Sequence, residues 1–190
     1  MIKRGTVVGG LITALLLVSS VQAGITQWDP RWDDASCLDP DNSGWSYDLV
    51  EPSWTIWEEY DATVPDSAVV GCGGEANADP VMRIDKTVTN GSTFVWTDYH
   101  IVISGEGVSL VSGSATSDTF GTIVETGNVI DYYAPQSVPI GASVNVAFDI
   151  QIPEGMFDFT ITQTPTPEPA SLSLLAITAA TLLRRRRRGP

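Results

Sequence analysis

Positive charge is scarce through most of this 190-residue chain. Between residues 24 and 163 only Arg31, Arg83 and Lys86 are basic, against 22 acidic residues, which gives that stretch a net charge of −19. A surface so negative repels phosphate backbones, so direct nucleic-acid binding is excluded. Histidine occurs once, at His100. There is no Gly-x-Ser-x-Gly, no His-Glu-x-x-His and no glycine-rich phosphate loop, so the common triad, zinc and nucleotide chemistries have no anchor. Cysteine occurs only at Cys37 and Cys72. Away from the two ends no segment carries an apolar period of 3.6 residues over a normal helix length. The length allows one domain and its accessory segments.

The cations missing from the middle are found at the ends. Residues 1–23 run from Lys3 and Arg4 through an apolar stretch, Val7 to Val18, to small residues before Ala23. That order predicts a secretory signal peptide cleaved between Ala23 and Gly24. At the other end, Pro165, Pro167 and Pro169 predict a proline-rich linker over 164–169. Residues 170–183 are uncharged and mostly apolar. As a helix they reach about 21 Å against roughly 30 Å of hydrocarbon, a short span that arginine snorkelling would lengthen. Arg184, Arg185, Arg186, Arg187 and Arg188 in the tail 184–190 would stay cytoplasmic, so both ends predict the same orientation.

Pro167-Glu168-Pro169, the short apolar segment and the terminal arginine cluster, in that order, resemble the PEP-CTERM sorting tail, also described as an ice-binding protein C-terminal domain. The match covers about residues 165 to 189, and the apolar segment is shorter than is usual in the family. The resemblance implies recognition by an exosortase, a membrane cysteine protease acting near the Pro-Glu-Pro. It also implies delivery to the surface or matrix of bacteria that make exopolysaccharide. It implies nothing about ice. The expected partners are therefore export machinery, an exosortase, the membrane through residues 170–183 before processing, and possible exopolysaccharide. The expected location is the envelope, with transient or permanent anchoring, and then the cell surface or extracellular space.

Residues 24–163 alternate with period two. Val144, Val146, Phe148, Ile150 and Ile152 share a face, as do Phe157, Phe159 and Ile161, and Pro153-Glu154-Gly155 between them predicts a hairpin turn. Met82, Ile84 and Val88 alternate with Arg83, Asp85 and Thr87 ahead of an Asn90-Gly91 turn, and Val95, Tyr99, Ile101 and Ile103 form the next row. Weaker strands are predicted at 45–50, 54–57, 108–111, 119–124 and 129–133. Eight or so strands with Gly, Pro, Asn and Asp turns predict an all-β, antiparallel, immunoglobulin-like β-sandwich flanked by a signal helix and a short C-terminal hydrophobic helix.

In an oxidising compartment Cys37 and Cys72 predict a disulfide closing 36 residues, with about 4 kcal/mol from chain entropy. Trp28, Trp32, Trp45, Trp54 and Trp57 crowd one short region and suit either a core or a sugar-stacking surface. Asp39, Asp41 and Ser43 before Gly44 have the spacing that opens a calcium loop, but position twelve is Val50 and Glu51 falls one place late. An Asx turn is the preferred reading, with calcium the one cofactor in view. His100 could meet a Ser and an Asp from other strands, and the many acids allow a glycosidase-like pair. The residues favour a non-catalytic exported protein, then a carbohydrate-binding module, then a small hydrolase.

Overall fold

The computed structural model describes residues 24–167. They form twelve strands: β1 Gly24–Asp34, β2 Gly44–Asp48, β3 Ser53–Tyr60, β4 Ala68–Asn77, β5 Val81–Asn90, β6 Trp96–Gly105, β7 Ser109–Leu110, β8 Thr116–Ser117, β9 Thr122–Thr126, β10 Val129–Val138, β11 Ser143–Gln151 and β12 Gly155–Pro167. No helix occurs among the described residues, and none there is long and apolar enough to cross a membrane. The predicted signal and C-terminal helices lie outside them.

The strands make two sheets. The first has the order β1-β4-β12-β6-β10-β9 and is antiparallel throughout. The second runs β2-β3-β5-β11-β7, with β8 also on β11, and contains one parallel pair, β3 with β5. A parallel pair needs a crossover. Here the chain leaves β3, passes through β4 in the other sheet and returns as β5, so a strand performs the service usually given by a helix.

Alternation located the inward rows well. Val144, Val146, Phe148, Ile150 and Ile152 are buried, as are Met82, Ile84 and Val88, and across the sandwich Phe157, Phe159, Ile161, Ile101 and Ile103. Each such side chain contributes about 1.5–3 kcal/mol by leaving water, enough for a row of them to fix which face of a strand turns inward. Trp28 of the first sheet meets Trp54 of the second edge to face, with ring centroids 5.2 Å apart, so the two sheets share one core.

Pairing is another matter. β11 and β12 do not form the expected hairpin: β11 bonds to β5 in the second sheet and β12 to β4 and β6 in the first. The residues between them carry the chain from one sheet to the other, with Gly155 at φ +91°. β5 and β6 are separated in the same way across Asn90-Gly91-Ser92. The buried Asn90 side chain clamps that passage, donating to the carbonyls of Phe94 and Val138 at 2.9 Å each and accepting from Ser92. An apolar row facing a core is satisfied equally by a hairpin within one sheet or a crossing between two, so alternation fixed the face and left the partner open. Val95 also departs from expectation. It is exposed because β6 begins one residue later with both Trp96 and Thr97 inside, a break in phase that moves Val95 outward.

Candidate functional site

The segments predicted to carry sorting signals bracket the described region. Gly24 opens β1 opposite Asn77, while Ala23 lies outside the described residues. Pro167 is the last residue of β12 and stands opposite Trp96. Glu168, Pro169 and Arg184 to Arg188 lie beyond it, outside the described residues.

The disulfide expectation is corrected. Cys37 and Cys72 are both free and buried. Cys72 sits mid-strand in β4, opposite Pro30 and Phe159. Asp34, where β1 ends, lies opposite Val69, three residues or roughly 10 Å along the strand from Cys72. The chain then turns toward the end of β3, where Leu38 bridges Tyr60 and the Asp61 amide donates to the Cys37 carbonyl at 2.9 Å. That leaves Cys37 beside Tyr60 at the end of β3, while Cys72 lies in the middle of β4. Burial pushes the Cys37 thiol up to about 11 and the Cys72 thiol up to about 12, so both are poor nucleophiles.

The five crowded tryptophans divide by strand parity. Trp28 and Trp54 are core residues, 6% and 0% exposed, and present no sugar-stacking face. Trp32 and Trp45 are partly buried and pack on each other with centroids 4.9 Å apart. Trp57, three residues after Trp54, points the other way and is 41% exposed. Its ring covers Gly44, where an added Cβ would stand 2.7 Å from it. Next to Trp57 in register is Thr87, whose hydroxyl donates to Asn145 at 2.8 Å. Asn145 donates in turn to Asp118 at 2.7 Å. Thr55, Asp85, Thr87, Thr116, Asp118 and Asn145 line a groove of about 410 Å³ on this outer face, which begins at Thr55, two residues from Trp57 on β3.

The outer face of the first sheet is polar as well. Arg31 donates to Asp33 at 2.9 Å and Asp158 at 2.8 Å, and it lies across Gly71 and Gly73, where side chains would collide with it or its partners. His100 Nδ1 meets Asp131 at 2.7 Å on the neighbouring strand β10. Thr164 is the register partner of His100 on the other side, but its hydroxyl is shared with Ser67 at 2.7 Å. Among the described residues no hydroxyl is hydrogen-bonded to the imidazole, so the structure joins His100 to an Asp and not to a Ser.

The Asp39 loop is an Asx turn. One Asp39 oxygen accepts the Asp41 amide at 2.9 Å, the other accepts Asn42 at 3.1 Å, and Ser43 Oγ accepts the Glu59 amide at 3.1 Å. Asp39 thus accepts from the turn that follows it and Ser43 from the backbone of β3. Among the described residues no group of three or more His, Cys, Asp or Glu side chains is placed to hold a metal.

Sequence reasoning missed the most concentrated polar cluster among the described residues. Lys86 of β5, Glu58 of β3 and Gln163 of β12 are buried between the sheets. Glu58 Oε1 accepts from Lys86 Nζ at 2.9 Å and also from the Gln163 amide nitrogen. Tyr99 donates its hydroxyl to Gln163 Oε1 at 3.0 Å, and Tyr60 donates to the Gln163 carbonyl at 3.2 Å. Burial pulls the Lys86 ammonium below its ordinary range, partly countered by Glu58, and pushes both tyrosines well up. The signal was present in the pattern. Lys86 falls in the inward phase of Met82, Ile84 and Val88, Glu58 in that of Trp54, Ile56 and Tyr60, and Gln163 in that of Phe159 and Ile161.

No protein-family model, curated protein or solved structure matches the chain, and the resemblance of its C-terminal segment to a sorting tail rests on the residues alone.

Proposed function

We propose that this is an exported, non-catalytic surface or matrix protein whose β domain is carried to its place by an N-terminal signal peptide and a PEP-CTERM tail. The observation that carries the reading is the ordered run Pro167-Glu168-Pro169, apolar 170–183 and Arg184 to Arg188, beginning where the last described strand pairing ends. An acidic domain whose three cations are all in ion pairs supports a presented, solvated body. Two packed sheets with one aromatic core support the immunoglobulin-like arrangement expected of the ectodomain, although twelve strands and two free thiols depart from its usual form. Mass measurement of the protein recovered from the cell surface tests the reading. Loss of residues 1–23 and of everything after the Pro-Glu-Pro region is the expected result, and an intact C-terminus would reduce the tail to an ordinary anchor.

A second reading, carbohydrate binding, is favoured by the groove beside Trp57. Hydroxyl, amide and carboxylate side chains on the same and neighbouring strands as an exposed indole suit a sugar ring. Retention on exopolysaccharide that Trp57→Ala abolishes is the result this reading requires, and equal absence of binding in both forms overturns it.

A further inference from the structure

Lys86, Glu58, Gln163 and Tyr99 together hold a nucleophile, a proton carrier, an acyl group and a hydrogen-bond donor to its oxygen, all sealed from water. We propose that Lys86 and Gln163 react with each other to form an intramolecular amide bond that joins the two sheets, with Glu58 as the proton carrier. This bond does not depend on the function proposed above.

The geometry assigns each role. Lys86 Nζ lies 2.9 Å from Glu58 Oε1, and the Gln163 amide nitrogen donates to that same oxygen, so the attacking and leaving nitrogens share one carboxylate. Tyr99 hydroxyl is 3.0 Å from Gln163 Oε1, where negative charge gathers when the carbonyl is attacked. The side chains of Lys86 and Glu58 are fully inaccessible to solvent, and burial pulls the Lys86 ammonium below its ordinary range, which eases transfer of its proton. Glu58 Oε2 has no hydrogen-bond partner, so that oxygen is open to receive the proton.

The reaction balances without any added reagent. A proton passes from the Lys86 ammonium to Glu58, leaving an amine. Nζ bonds to the Gln163 side-chain carbonyl carbon, the bond from that carbon to its own nitrogen breaks, and Glu58 protonates the departing nitrogen while accepting the surplus Nζ proton. Ammonia leaves. Nothing is oxidised or reduced. The product ties β5 of the second sheet to β12 of the first, the strand that leads into the C-terminal segment.

Mass spectrometry of the full chain, unfolded before measurement, reads the bond directly. The expected mass is lower than the sequence mass by one ammonia. Trypsin is then expected to leave Lys86 uncut, so that a single peptide beginning at Ile84 runs through Gln163 and carries both linked residues. Glu58→Gln and Lys86→Arg are both expected to restore the full mass. An unmodified mass with normal cleavage after Lys86 overturns the proposal. So does loss of ammonia with Lys86 still cut, which places the change at Asn90-Gly91 as a succinimide. Loss of water, with Glu58 in the linked peptide, overturns the assignment of Gln163. Loss of ammonia at Gln163 in Glu58→Gln overturns the role of Glu58. If either variant fails to fold, the wild-type mass and peptide map decide.

Discussion

The two ends of the core are built on opposite principles. Around Trp28, Trp54, Phe157 and Phe159 the sheets meet through aromatic rings, with centroids 5.2 to 6.3 Å apart, in an apolar surround. Six residues further along β12, at Gln163, they meet through Lys86, Glu58, Tyr60 and Tyr99, a polar network with no water access. Aromatic packing degrades by degrees, because each lost contact forfeits a little dispersion and a little burial. A buried ionisable network does not, because removing one member strands the charge or dipole of the others. The first end supplies cohesion, and the second specifies which strand lies opposite which.

That contrast is breakable. Glu58→Leu, which strands Lys86 and the Gln163 amide, is expected to cost about 3–5 kcal/mol in urea unfolding. Gly74→Ala probes the aromatic end, because its Cβ would press on the Gln27 carbonyl and stand 2.7 Å from Phe157. A loss of about 1–3 kcal/mol is expected there, and a cost equal to that of Glu58→Leu would erase the distinction between the ends.

The two thiols sample both ends, Cys72 opposite Phe159 and Cys37 beside Tyr60. Each is raised in the folded protein from an ordinary 9.0, so the folded form holds its protons to higher pH than the unfolded form does. Their contribution is complete below pH 9.0 and is lost as pH climbs through about 11 for Cys37 and about 12 for Cys72. Cys37→Ala is expected to flatten that alkaline decline in urea midpoints between pH 9.0 and about 11, and Cys72→Ala between pH 9.0 and about 12. The smallest effect belongs to the outer surface. Arg31→Ala removes two exposed ion pairs and is expected to shift stability by less than about 1 kcal/mol by the same unfolding measurement.

The sequence made the faces of β5, β11 and β12 legible, because Ile, Val and Phe recur at every second place. β4 also alternates, but with Ala68, Val70, Cys72 and Ala76 inside and glycines between, residues too small to announce a strand. β1 hides for a different reason. Irregular pairing between Ile25 and Gln27, and again between Trp32 and Asp34, breaks its period, and Pro30 sits at its centre on the sheet edge. At the polar end, Lys86 and Glu58 read as surface residues by type and as core residues by phase, and phase was right. Trp28, Trp54 and Trp57 were sorted by parity alone, since indole type says nothing about direction. The groove beside Trp57 draws on β3, β5, β8 and β11, a convergence that depends on sheet order and therefore lay beyond what local pattern encodes.

One further property follows from the ion pairs. Arg31, Arg83 and Lys86 are the only cations among the described residues, and each already has a carboxylate partner. The described regions of neighbouring copies would therefore face one another without a complementary patch, carboxylate against carboxylate. Crowded together they would behave as a swollen polyelectrolyte layer, with a spacing set by a screening length of about 10 Å at 0.1 M salt and collapsing as divalent counterions are added.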